Sequence, residues 1–313
     1  MDDPAFSSVL VFPPAWLPLA GPPHRVHNAA VPQDGWPGGI VMAIAPGYDR
    51  LPRDKIAGQA ASHSEPAVRR ISSSHVWSAL REGWEDFLTH PTQLIFLAII
   101  YPVIGLVAAQ IASDGDLMPL MWPLISGFAL VGPIAAMGIY ELSRRREKGQ
   151  PATWLHAFAV LRSPNLGAIF ILAVMLLAIF VAWMFTAQAI YDAIFQGARP
   201  ASVSDFTQQV FRTREGWRLM LVGNGVGLLF AILVLALSVV SFPLLLDRPV
   251  GPLTALRTSL RAVMTNPGPM ALWGLIVAVL LFAGSLPLFV GLAVALPVLG
   301  HGTWRLYRKV VTA

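Results

Sequence analysis

The chain contains no cysteine. That removes disulfides, thiolate nucleophiles, iron–sulfur clusters and cysteine-ligated zinc together. Charge is also scarce, at 12% of residues against 55% hydrophobic, where a soluble domain carries roughly 25% charge. Mean hydropathy is +0.62. The 22 Lys and Arg and the 17 Asp and Glu are missing altogether from six stretches, 92–112, 117–140, 165–190, 219–246, 268–284 and 286–304. The remaining residues hold all the charge at ordinary soluble density. Charge-free apolar runs of this length mark membrane spans, so the composition describes a polytopic integral membrane protein.

Catalytic signatures are equally sparse. There is no Walker loop, Gly-x-Ser-x-Gly, His-Glu-x-x-His or dinucleotide fingerprint. No ionisable carboxylate or base lies at depth in a span, where a retained charge would mark an ion path or proton relay. Glu141 sits at the inner end of the second span, beside Arg144 and Arg145 as ordinary partners, and Asp192 at the outer end of the third. Six of the seven histidines fall outside the spans; His301, near the inner end of the last, reads as an interfacial hydrogen-bonding residue. The expectation is therefore no enzyme, no cofactor and no metal.

A bilayer core about 30 Å thick takes about 20 helical residues. The last two stretches share one uncharged run, read as a hairpin turning at Gly284 with Pro287 opening the next helix. Basic residues assign the sides. With the N-terminus inside, fourteen fall on inner segments, including the cluster Arg144, Arg145, Arg146 and Lys148, against four outside: Arg199, Arg212, Arg214 and Arg218. Both termini are expected in the cytoplasm. The net charge of +5 then suits anionic lipid rather than nucleic acid. Residues 1–67 read as a disordered tail outside the membrane domain 68–313. Its first 41 residues hold eight prolines and no helical period, which fits either a flexible cytoplasmic tail or an over-called start with Met42 as the first residue.

A pattern recurs along the chain. Trp77, Leu80, Trp84, Phe87 and Leu88 lie on one helical face ahead of His90-Pro91, and Leu253, Leu256, Leu260, Val263 and Met264 repeat the spacing ahead of Asn266-Pro267. The third span is entered through Trp154-Leu155-His156-Ala157-Phe158 and Ser163-Pro164. Pro133 precedes Tyr140-Glu141-Leu142-Ser143-Arg144-Arg145 by the interval at which Pro297 precedes Trp304-Arg305-Leu306-Tyr307-Arg308-Lys309. The fold expected is all-α, six transmembrane helices as three hairpin units, each with an interfacial amphipathic helix. Those helices could lie on lipid or over the mouth of the bundle. The middle unit alone has a long outer connection, 191–218, in which Phe206, Val210, Phe211 and Trp217 fall near one face and Ser204 or Asp205 is placed to cap it.

Inside the spans, Gly223 and Gly227 form a GxxxG pair suited to close packing. The polar set Gln93, Gln110, Ser126, Thr186, Gln188, Asn224, Ser238, Ser241 and Ser285 is expected mostly to hydrogen-bond between helices. Asn224 and Gln188 are the candidates for a lined polar cavity. Pro102, Pro123, Pro133, Pro243 and Pro297 introduce kinks.

The stretches Ser241-Phe242-Pro243-Leu244-Leu245-Leu246-Asp247-Arg248, Asn266-Pro267-Gly268-Pro269-Met270-Ala271-Leu272-Trp273 and Gly300-His301-Gly302-Thr303-Trp304-Arg305-Leu306-Tyr307-Arg308-Lys309, with Ile100-Tyr101-Pro102 and Gly138-Ile139-Tyr140-Glu141-Leu142-Ser143-Arg144-Arg145, carry a resemblance. From about Val68 onward the chain resembles a bacterial integral membrane family filed as domain of unknown function twenty-one eighty-nine. The resemblance implies a multi-pass protein of the bacterial inner membrane with no established activity, and it supplies no functional residues. The leading expectation is a non-enzymatic scaffold, assembly or regulatory component in contact with the bilayer and with another membrane complex or itself. The alternative is a transporter or channel for a neutral or lipid-like solute.

Overall fold

The computed structural model describes residues 66–89, 105, 118–128, 130, 132–198, 200, 202–287 and 290–312. The expected first span, 92–112, lies outside the described residues apart from Gly105, as does the expected tail apart from residues 66 and 67. Among the described residues every regular element is helical. α1 is Ser73–Leu88. A short 3-10 turn at Met118–Leu120 leads to α2 (Met121–Phe128), α3 (Gly132–Ala135) and α4 (Met137–Glu147). A 3-10 helix, Trp154–Arg162, precedes α5 (Leu166–Phe195). Then come α6 (Val203–Arg212), α7 (Arg214–Ser238), α8 (Ser241–Asp247), α9 (Pro252–Thr265), α10 (Pro267–Ser285) and α11 (Leu292–Val310).

Among the described residues three helices are long and apolar enough to cross a membrane: Leu166–Phe195, Arg214–Asp247 and Pro267–Ser285. The second is α7 and α8 in succession, stepped at Val239–Val240. The step has a local cause. Pro243 has no N–H with which to continue the helical ladder, and Ser238 and Ser241 turn their hydroxyls back onto Val234 O and Leu237 O, a pattern that bends helices. The Val240 N–H at the step donates to Ser259 Oγ of α9, 3.2 Å away. The interrupted run α2–α3–α4 contains Pro123 and Pro133.

The segments α1 and α9 rest on protein largely by their small residues, with Phe87 of the α1 apolar face buried beside them. Val76, Ala79 and Gly83 of α1, and Ala255, Ser259 and Ala262 of α9, are buried, while Trp77, Trp84 and Leu88, and Leu253, Leu260 and Met264, point outward. α1 packs on α11, the 3-10 helix on α4, and α9 on α7 and α8. The first and last described segments also pair: Val68 bridges Val311, and Arg69 N–H donates to Val310 O at 2.7 Å.

Three local expectations change. The helix after the last turn begins at Leu292 with Gly291 at its cap, so Pro287 belongs to the turn and does not open the helix. The turn closes instead through glycine: a Cβ on Gly291 would stand 2.8 Å from Gly284 Cα. The cap of α6 is Ser202, whose Oγ accepts from Asp205 N–H, rather than Ser204 or Asp205. Trp217 lies on α7, because Thr213 ends one helix and caps the next by accepting from Gly216 N–H.

Candidate functional site

The longest helices leave a cavity of about 960 Å³ between them. Its walls come from α2 (Trp122, Pro123), α5 (Trp183, Tyr191), α6 (Phe206, Val210), α7 (Asn224, Gly227), α10 (Trp273) and α11 (Thr303). Among the described lining residues none is charged. Trp183 anchors one wall: its indole N–H donates to Pro123 O at 2.9 Å, and its ring lies 3.1 Å from where a Cβ on Gly227 would be. Tyr191 packs its ring on Phe206, at 6.5 Å between centroids, and donates its hydroxyl to Ala198 O. At another part of the lining Thr303 donates its hydroxyl to Leu299 O at 2.7 Å.

Of the two polar candidates, Asn224 lines this cavity and Gln188 is not among its described lining residues. They are not brought together. Asn224 Nδ2 donates to Met220 O one turn back, and Gln188 Nε2 donates to Asp192 Oδ2. The expected hydrogen bonds between helices do not form from the described polar set. Ser126, Thr186, Asn224, Ser238, Ser241 and Ser285 each bond a carbonyl three or four residues earlier in their own segment. A hydroxyl in an apolar helix reaches its own backbone without any partner having to be aligned. Gln93 and Gln110 lie outside the described residues. The GxxxG expectation holds at one end only, since a Cβ on Gly223 would meet no described atom within 4 Å whereas Gly227 abuts Trp183.

Strong polar contacts gather instead at one end of the bundle. Glu141, 1% exposed, accepts from Arg144 Nε at 2.7 Å and from Arg145 Nε at 2.7 Å, so both expected partners hold it. Arg146 turns to α1 and donates to the Asp86 carbonyl and to Thr89 Oγ1. Lys148 lies exposed at the C-cap of α4. The basic cluster is therefore divided among three jobs. Asp86 also accepts a forked pair from Arg305, 2.8 and 2.9 Å. One turn on, Lys309 Nζ donates to Glu82 at 2.7 Å. Arg308 spans Glu147 and Asp247, and Tyr307 donates to Asp247 at 2.7 Å.

Burial pushes the Glu82 carboxyl up, but the Lys309 ammonium and the Ser78 hydroxyl outweigh it and hold the group below its usual range. His301 is fully buried within the protein and hydrogen-bonded, as expected of it: its Nδ1 shares a 2.6 Å hydrogen bond with Ser143 Oγ, joining α11 to α4. Among the described residues no three His, Asp or Glu side chains converge as a metal site would need.

Sequence reasoning missed the α1–α11 ion pairs and the Trp183 wall. One signal was available for the first: Glu82 and Asp86 stand four apart, as do Arg305 and Lys309, so two helices meeting in antiparallel register match both pairs at once. Nothing local marks Trp183, one of ten tryptophans.

No curated protein and no solved structure matches the chain. Residues 121–247, from α2 through α8 and so including much of the cavity wall, match the family described as predicted integral membrane protein (DUF2189), in keeping with the resemblance carried by the sequence.

Proposed function

We propose that this integral membrane protein is non-enzymatic and accommodates a neutral, lipid-like solute in the cavity between α2, α5, α7, α10 and α11. The observation that carries the reading is the cavity's chemistry. A space of about 960 Å³, at the upper end of the roughly 300–1,000 Å³ typical of ligand sites, is walled by aromatic and aliphatic groups with hydroxyl and amide groups but no described charge. A charged solute would lose its hydration there without a counter-charge; an apolar one with a small polar head would not.

The proposal places the cavity in a six-span bundle of three hairpin units, with 92–112 as first span, α2–α4 as second and α11 as sixth. It puts the protein in the bacterial inner membrane with both termini in the cytoplasm, supported by the excess of basic residues at the end where α1, α4 and α11 meet.

The test uses gently extracted protein, with native mass spectrometry to detect a retained apolar molecule and liposomes to follow its flux. Retention that disappears in G227W, which would fill the space beside Trp183, supports the reading. Retention equal in wild type and G227W overturns it. A scaffold role is the second reading, favoured by the outward Phe211 and Trp217 around the α6–α7 corner; a stoichiometric protein partner in the same spectra, with no small molecule, would select it.

A further inference from the structure

Three segments of the chain carry one five-residue pattern: Trp77-Ser78-Ala79-Leu80-Arg81, Phe158-Ala159-Val160-Leu161-Arg162 and Leu253-Thr254-Ala255-Leu256-Arg257. The structure disposes all three alike. The first residue is 55%, 51% and 56% exposed, the third is 0%, 8% and 0% exposed, and the arginine is exposed each time. Each segment is seated on another helix by its small third residue's side. The 3-10 helix and α9 rest on the helices that precede them, and α1 rests on the last helix, so the contacts close into a ring. What is exposed is repeated too: a large apolar side chain with a guanidinium four residues on.

At α1 this outward face borders a groove of about 550 Å³. Trp77 and Trp84 form one side, Leu280, Val294 and Val298 the floor, and Arg81 is the one charged group among the described lining residues. The Arg81 guanidinium has Glu85 at 3.7 Å, both exposed, a separation beyond hydrogen bonding. An apolar trough with a forked cation at its rim matches an acyl chain joined to a phosphate, whose oxygens accept the paired N–H groups of arginine. Tryptophan beside it suits the headgroup level. The sign of the partner follows from charge. The segments assigned to this side between Arg69 and Lys309 hold fourteen basic residues and six acidic ones, Glu82, Glu85, Asp86, Glu141, Glu147 and Asp247. Of those six, five have an arginine or lysine nitrogen within 3.1 Å in the fold, and Glu85 faces Arg81 at 3.7 Å.

We propose that Arg81, Arg162 and Arg257 form a belt that seats the phosphates of anionic phospholipids in the adjoining leaflet, with the α1 groove as its most enclosed seat. The proposal stands apart from the cavity reading, because the belt lies on the outer surface.

The experiment is native mass spectrometry of the full chain released from nanodiscs of phosphatidylcholine mixed with phosphatidylglycerol. Wild type retains phosphatidylglycerol in preference. R81Q lowers that retention several-fold, R81Q/R162Q/R257Q abolishes the preference, and G227W leaves it unchanged. No preference in wild type, or a preference surviving the triple substitution, overturns the proposal, as does a preference lost in G227W but kept in R81Q. Because the chain has no cysteine, W77C, F158C and L253C each give a unique labelling site; nitroxides at all three should report one common depth at the lipid boundary. Three unlike depths overturn the belt even where a variant is too unstable for the mass measurement.

Discussion

Gly83 of α1 lies against Gly302 of α11 so closely that a Cβ on Gly83 would stand 2.5 Å from Gly302 N and 2.8 Å from Val298 O. The two backbones touch where any side chain would hold them apart, and this contact sets the ion pairs on the same helices within reach. The obstructing atoms are backbone, so they cannot turn aside. G83A is therefore expected to lower stability by about 1–3 kcal/mol, the usual range for overpacking, and thermal unfolding in detergent measures it. An unchanged melting temperature would show that α1 does not dock here.

Asp86 holds Arg305 in a fork and lies 3.5 Å from Arg146. Removing its charge leaves two guanidinium groups, themselves a fifth to a quarter exposed, facing a neutral amide. Loss of one partner of a buried pair costs about 3–5 kcal/mol, and solvent access brings D86N to about 2–3 kcal/mol. Limited proteolysis should then cut between α1 and the rest of the chain. Resistance equal to wild type would contradict the pairing.

Two asparagines should behave oppositely. Among the described residues Asn224 bonds its own helix, so N224L is expected to change stability by less than about 0.5 kcal/mol. Asn266 accepts from Ile71 N–H at 2.7 Å and donates to Arg69 O and Ala262 O, joining the entry to α1 with the end of α9. N266L strands those buried groups, at about 1–3 kcal/mol. Chemical denaturation of both variants side by side makes the comparison, and an equal loss in both would refute it.

Glu82 titrates below its usual value because Lys309 and Ser78 favour the carboxylate. A depressed carboxylate adds stability above its unfolded value of about 4.3, and that stability is lost as pH falls through the lower folded value. The gap between wild type and E82Q should therefore be constant from neutral pH to about pH 5 and close below about pH 4. Its size stays under about 1 kcal/mol because the pair is partly exposed. A gap that widens toward acid would reverse the assignment.

The docking of α1 on α11 also shows where sequence stops being informative. The helical face Trp77, Leu80, Trp84 was legible from spacing alone, as was its recurrence at Leu253, Leu256, Leu260. Yet the closest packing is made by Ala79 and Gly83, with Phe87 buried beside them, because a small residue allows backbones to approach and a tryptophan does not. In the cavity, Asn224 was legible as a polar residue in an apolar run. Trp183 was not, since its importance depends on Pro123 and Gly227 arriving from other helices.

Composition and charge distribution by themselves determined that this chain is an integral membrane protein, largely helical, with basic residues gathered toward one set of segment ends. Those properties follow from transfer of side chains between water and hydrocarbon, which each residue carries with it wherever the chain goes. Only the tertiary structure decided that Gly83 meets Gly302, that Asp86 and Glu82 answer Arg305 and Lys309, and that the long helices leave between them a space whose described lining is uncharged. Contacts of this kind join residues more than two hundred positions apart, and their energy depends on distance and register, which no single segment contains.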